Sequence, residues 1–220
     1  MARGEDPQVG ERIRAERTKR GISVRSLARS VEVSVSLISQ IETGKCQPSV
    51  STLLAITTAL GVSIQDVFPL TDAPPAGLLT AAAPGAECPA SAPPSLPALT
   101  PAEALTAVRR SSPVFRADER EVLRLDSGVT WERLGHVPGV QVDFMLVTYA
   151  PGATSSGAGL LMQHAGAEYA YLLEGELILT LGDEEQHLTV GQSVSFASST
   201  PHRYRNDAPR PAVAVCLLSG

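Results

Sequence analysis

Between Ser34 and Lys45 the chain sets out side chains suited to reading DNA. Gln40 can form a bidentate pair with adenine, Ser36 and Ser39 can reach either type of base, and the Val35 methyls suit a thymine methyl. Leu37, Ile38 and Ile41 recur at helical spacing in the same stretch. A helix opening at Ser34 would therefore bury those three and leave the polar set free. Arg25 and Lys45 fall at helix ends flanking that face, where phosphates pass, so their expected role is positioning rather than base reading.

The surrounding residues predict the elements that hold this face. Asp6-Pro7 reads as an N-cap followed by proline at the first helical position, for a helix that runs to Arg20 and stops at Gly21. Ser23 caps a second helix with Leu27, Ala28 and Val31 turned inward, and Glu32-Val33-Ser34 is a short turn. The third helix, opened by Ser34, ends at Gly44. Pro48-Ser49 starts a fourth with Leu53, Leu54, Ile56, Thr57 and Leu60 as its apolar positions, and Gly61 ends it. Ser63 caps a last turn through Phe68. Five short helices, two of them joined by a very short turn, predict a helix-turn-helix bundle.

The segments "GERIRAERTKRGIS", "LARSVEVSVSLISQIETGK" and "QPSVSTLLAITTALGVSIQDVF" resemble the Xre/Cro/C1 family of phage-repressor-like domains. The resemblance implies that the helix beginning at Ser34 enters the major groove. It also implies that Arg17 and Glu42 form a buried pair bracing the bundle. The chain departs from the family at Val24, commonly Gln, and at Val35, commonly a polar reader.

Composition divides the rest. Residues 1–70 carry a net charge of +2, residues 71–112 carry -1 and residues 113–220 carry -6. The middle stretch holds 12 Ala and 8 Pro and no aromatic residue, which predicts a semi-extended tether over 70–112. A short helix near Pro101–Arg109 is expected within it. The domain plan is thus a head over 7–69, a linker over 70–112 and a tail over 113–220. The tail reads as ten short strands: Val122–Leu125, Thr130–Leu134, Val140–Ala150, Leu160–His164, Tyr169–Leu173, Glu176–Leu181, His187–Val190, Ser193–Phe196, Arg203–Arg205 and Val213–Leu217. Hairpin turns are expected at Glu174-Gly175 and Gly182-Asp183. The fold class is therefore multi-domain α + β, with a jelly-roll barrel in the tail.

Two stretches of that tail, "MQHAGAEYAYLLEGEL" and "VGQSVSFASSTPHRYRN", resemble the two motifs of the cupin superfamily. By that resemblance His164, Glu168 and His202 fall on metal-ligand positions, and Met162 stands where the family has its first His. Imidazole, imidazole and carboxylate can hold Fe(II), Mn(II), Ni(II) or Zn(II). A thioether is a poor fourth ligand for hard divalent ions. Either the ion keeps three protein ligands plus water, or the barrel binds an organic ligand without metal. Phe144, Met145, Tyr149, Tyr169, Tyr171 and Tyr204 are candidates either for the barrel lining or for plain core.

The three cysteines, Cys46, Cys88 and Cys216, form no C-x-x-C pair. Their spacing excludes a zinc finger and fits a reducing, cytoplasmic setting, and neither a signal peptide nor an 18-residue apolar run is present. With a net charge of -5, a uniformly basic coat is excluded. The combined resemblances imply a sequence-specific transcriptional regulator rather than an enzyme. Its expected partners are a pseudo-palindromic double-stranded operator, a small-molecule effector and a second copy in a homodimer. The alternatives are a cupin metalloenzyme of the dioxygenase or isomerase type with an accessory DNA-binding head, and a regulator that senses the metal itself.

Overall fold

A computed structural model describes residues 7–68, 114–137, 140–157 and 160–219. The Asp6 cap, the tether and the helix expected near Pro101–Arg109 lie outside the described residues.

The head consists of α1 (Pro7–Lys19), α2 (Val24–Ser30), α3 (Val35–Glu42) and α4 (Val50–Leu60). A single 3₁₀ turn, Ile64–Val67, follows. The expected fifth helix is therefore no α-helix. Asp66 accepts from both the backbone N–H and the hydroxyl of Ser63, which closes a tight capping box and completes a turn too short to propagate. The other caps work as read from the sequence. The hydroxyls of Ser23, Ser34 and Ser49 accept from the backbone N–H groups of Ser26, Leu37 and Thr52. Gly21, Gly44 and Gly61 each turn out of a helix at positive φ.

Val9, Ile13, Leu27, Ile38, Ile41, Leu53, Ile56 and Leu60 make the core of the bundle. Gly10 is where α1 crosses α3. A Cβ there would lie 2.0 Å from the Ile41 carbonyl oxygen, so only glycine allows this approach.

The tail folds into two antiparallel sheets. Its strands are β1 (Val122–Arg124), β2 (Val129–Gly135), β3 (Val142–Tyr149), β4 (Ala167–Glu174), β5 (Glu176–Leu181), β6 (Glu184–Thr189), β7 (Ser193–Ala197), β8 (His202–Arg205) and β9 (Ala212–Ser219). The order is β1-β2-β3-β9-β4-β7 in one sheet and β6-β5-β8 in the other. Trp131 faces Val147, and Met145 faces Cys216, on the inner side of the larger sheet.

Two expectations are corrected. Leu160–His164 is not a strand: it makes one isolated bridge, Met162 with His202, and its other backbone groups go elsewhere, His164 N–H donating to the Ser198 carbonyl. Glu174-Gly175 is not a hairpin, because β4 pairs with β7 and β9 while β5 pairs with β6 and β8. Gly175 instead carries the chain from one sheet to the other at φ 75°, and a Cβ there would meet the Pro211 carbonyl oxygen at 2.5 Å. Gly182-Asp183 does close a hairpin, with Leu181 paired to Glu184.

The head is seated on the β-domain. The Ser51 N–H donates to the Ser155 carbonyl and the Asp126 N–H to the Pro48 carbonyl, each at 3.1 Å. The Arg133 guanidinium lies 4.6 Å over the Phe68 ring and pairs with Glu121 at 2.7 Å.

Gly10→Ala is expected to lower the unfolding free energy by about 1–3 kcal/mol, although alanine is the better helix former, because backbone at this crossing must give way. Urea denaturation followed by helical circular dichroism checks it; an unchanged or raised midpoint would contradict the close approach.

Candidate functional site

Two sites take shape, one on each domain. On α3, Ile38 and Ile41 are fully buried and Leu37 half so, while Val35, Ser36, Ser39 and Gln40 are exposed. Gln40 Nε2 donates to Ser36 Oγ at 3.3 Å, a long and exposed bond that a base edge can replace at little cost. Arg25 and Lys45 are exposed and make no ion pair among the described residues. The expected set Arg25, Ser34, Val35, Ser36, Ser39, Gln40 and Lys45 thus lies on the exposed surface of α2 and α3 and the turn after α3, with Ser34 engaged as the α3 cap.

Beneath this face Arg17 grips Glu42. Its Nε donates to Oε1 at 2.5 Å and its Nη2 to Oε2 at 2.9 Å, a bidentate pair, while Nη1 donates to the Ile22 carbonyl at 2.8 Å. Both side chains are nearly inaccessible. The guanidinium pKa is raised, first by the hydrogen bonds it donates to the Glu42 carboxylate, acting against the cost of burial. This brace ties the C-terminal end of α1 to the last turn of α3.

In the β-domain His164, Glu168 and His202 converge, with one ligand atom from each within 4.8 Å of the others. Glu168 Oε1 lies 2.8 Å from His164 Nε2 and 3.0 Å from His202 Nε2. Glu168 comes from β4 and His202 from the opposite sheet, at the start of β8. His202 packs edge-on against Phe196 and His164.

The other ring nitrogens define the tautomers. His164 Nδ1 lies 3.0 Å from the Ala165 carbonyl and His202 Nδ1 2.8 Å from that of Thr200. A carbonyl only accepts, so each Nδ1 carries a proton. In the neutral rings both Nε2 lone pairs then face a carboxylate, acceptor against acceptor. A divalent cation or a proton on an imidazole relieves that conflict. Burial opposes charge on His164, but the Glu168 carboxylate overrides it and the pKa is raised. Burial likewise favours neutral Glu168, yet the imidazoles of His164 and His202, which donate to it when protonated, hold its pKa below the usual range. Two imidazole nitrogens anchored to backbone carbonyls plus one carboxylate oxygen therefore make a donor set that fits a divalent metal.

Beside Glu168 runs a narrow, partly open cavity of about 20 Å³. Trp131, Met145, Val147, Met162 and Leu218 supply apolar walls, and Tyr149, Tyr204 and Cys216 polar atoms. Of the six aromatic and methionine candidates, Met145, Tyr149 and Tyr204 face inward. Phe144, Tyr169 and Tyr171 do not: they are 37%, 52% and 47% exposed. Strand alternation is the reason, since Glu168 points inward and its neighbour must point out. Burial raises the Tyr149, Tyr204 and Cys216 pKa values, so all three stay neutral hydrogen-bonding groups.

The cavity also has walls that the sequence did not single out for this site: Val50 and Leu54 from α4 of the head. The available signal was α4 itself, eleven residues without a charge, more apolar surface than one bundle can cover.

Comparisons with known protein families match the head and the β-domain separately. Residues 8–68 match the helix-turn-helix domain model and residues 145–218 the cupin domain model. The protein thus combines an XRE-type helix-turn-helix domain with a cupin domain. It is homologous to the HTH-type transcriptional regulator PuuR of Escherichia coli strain K12, at 25% identity over 90% of this chain and 86% of that protein. The HTH-type transcriptional regulator DdrOP3 of Deinococcus deserti is 33% identical over 58 residues, 26% of this chain and 45% of that protein. A crystal structure of an HTH_3 family transcriptional regulator from Vibrio cholerae has the same fold, with a TM-score of 0.61, 18% identity and coverage of 98% of this chain and 97% of that one. Among the described residues no helix is long and apolar enough to cross a membrane.

Protein incubated with excess Zn(II), Ni(II), Mn(II) or Fe(II) and then desalted is expected to retain one ion per chain of at least one metal, and His202→Ala none. Elemental analysis checks it; equal retention by both proteins would remove the cluster as the ligand set.

Proposed function

We propose that this protein is a DNA-binding transcriptional regulator whose β-domain senses a small molecule. In this reading α3 lies in the major groove. Gln40, Ser36, Ser39 and Val35 read base edges, and Arg25, Lys45 and the N-terminal end of α3 at Ser34 meet phosphates. The observation that carries it is the divided surface of α3, its apolar residues buried and its small polar residues exposed in a helix-turn-helix domain homologous to that of regulators. The head's small positive charge supports modest affinity per head and dependence on a dimer.

A second copy has a surface to meet. Phe144 pairs with Leu217, Leu217 with Tyr169, and Tyr171 with Val215, so exposed apolar side chains of β3, β9 and β4 form one patch on the outer face of the larger sheet. Such a patch on a soluble domain marks an interface, and a homodimer would bring two copies of α3 to a pseudo-palindromic operator. The His164–Glu168–His202 cluster is the polar end of the sensing cavity. A bound divalent ion would polarise an oxygen or nitrogen atom of the effector there. The regulator homologues support binding rather than turnover as the task of this cavity.

Gln40→Ala is expected to weaken specific operator binding by about 1–3 kcal/mol while leaving weak binding to unrelated duplex nearly unchanged. Gel-shift titration against fragments selected from genomic DNA checks it, and equal operator affinity would remove Gln40 as a base reader. Light scattering is expected to give twice the 23.1 kDa chain mass for the wild type and the chain mass for the double variant Tyr171→Glu, Leu217→Glu. A wild-type monomer would remove the dimer.

A further inference from the structure

Helix α4 belongs to two cores. Leu53, Ile56 and Leu60 are buried within the head, whereas Val50 and Leu54, one turn apart on another side, are 2% and 6% exposed and form part of the cavity beside Glu168. The hydrogen bonds of Ser51 to Ser155 and of Asp126 to Pro48 hold the start of α4 at this place. The buried Tyr204 hydroxyl also borders the cavity, near the Glu168 carboxylate. A phenol hydroxyl there can donate to a ligand oxygen. The space left is narrow, and Val50 and Leu54 are side chains of the DNA-binding domain.

We infer that the cavity is a ligand site shared between the two domains, with α4 as its outer wall. Its ligand is a small, mostly apolar molecule carrying a hydrogen-bond acceptor for Tyr204, and it lifts Val50 and Leu54 as it enters. The inference rests on the regulator reading for its consequence: filling the cavity and seating the head become linked equilibria. A ligand that binds the unseated form better shifts the head away from the β-domain by that difference in affinity. In the seated form the α3 face remains exposed. Ligand entry therefore changes where the two heads of a dimer are held relative to each other, not whether each can meet DNA.

The protein contains its own reporter. Trp131 is its single tryptophan, 3% exposed, and lines the cavity beside the α4 wall. Two full-length variants test the inference without a known ligand. Val50→Asp removes the wall's apolar contact, with Val50→Ser as the milder form. Cys216→Phe fills the cavity from its inner side, as a tethered stand-in for a ligand, with Cys216→Leu as the milder form. Added bulk alone shields Trp131 further, so only lifting of α4 raises quencher access. Both changes are expected to shift Trp131 emission to the red and raise acrylamide quenching severalfold, with the circular dichroism of both domains retained. Folded variants in which Trp131 keeps wild-type emission and quenching would overturn the shared site. Gel shifts on the same samples separate the two readings. Wild-type operator binding with an unmoved Trp131 overturns the shared site alone. A moved Trp131 with no duplex bound by any sample overturns the regulator and leaves the shared site standing.

Discussion

An eleven-residue helix with no charged side chain cannot sit on the surface of a small bundle. Of the residues of α4 only Thr58 is exposed, so the helix is covered on nearly every side. The head covers one stripe through Leu53, Ile56 and Leu60, and the β-domain covers another at Val50 and Leu54. Burial of those last two side chains contributes about 1.5–3 kcal/mol each as an upper figure. Each domain is then part of the other's packing, although the connecting stretch is rich in Ala and Pro and reads as a loose tether. In the proposed reading, coupling between the DNA-binding face and the cavity needs no signal along that stretch, because the two domains touch directly.

The same constraint reaches α3 through the head. α4 packs with α1 and α2, α1 crosses α3 at Gly10, and Arg17 fixes the end of α1 to Glu42. The bidentate geometry matters here. A guanidinium fork held by two carboxylate oxygens and a backbone carbonyl has little freedom left, so the last turn of α3 is placed by orientation as well as by distance. Apolar packing alone would allow α3 to roll about its axis. The brace opposes that roll, which in the proposed reading decides whether Gln40 or a neighbour meets a base.

Much of this was legible in the residues. Serine caps at Ser23, Ser34 and Ser49 and terminal glycines at Gly21, Gly44 and Gly61 are local signals, read without knowledge of tertiary structure, and they work as such in the fold. The His164–Glu168–His202 set was legible through the cupin resemblance, and the three side chains do meet. What failed was non-local. Leu160–His164 has a strand-like composition but only one bridging partner, and pairing is decided by the partner. The turn at Gly175 joins two sheets rather than two paired strands, which no local sequence feature distinguishes from a hairpin. The outward direction of Tyr169 and Tyr171 was within reach, since fixing Glu168 inward fixes the parity of β4. The roles of Val50 and Leu54 were not, because an apolar residue states that it will be buried and not against what.

The His164–Glu168–His202 cluster and the apolar wall of α4 occupy one cavity for a physical reason. A carboxylate held charged inside a protein needs compensation, and here two imidazoles anchored by backbone carbonyls stand within hydrogen-bond distance of it. Water at that site would screen the interaction and weaken any ligand's grip. α4 borders the site with Val50 and Leu54, side chains that make no polar contact of their own, and only two backbone hydrogen bonds, Ser51 to Ser155 and Asp126 to Pro48, hold its start against the β-domain. Lifting α4 breaks the two backbone hydrogen bonds at its start, whose groups water can then satisfy, and re-exposes two apolar side chains. The apolar part costs a few kcal/mol at most, which lies within what the burial of a small ligand can offset. In the proposed reading the weaker directional contacts lie at the joint that moves, and the strongest, Arg17 with Glu42, where movement would spoil the reading of DNA.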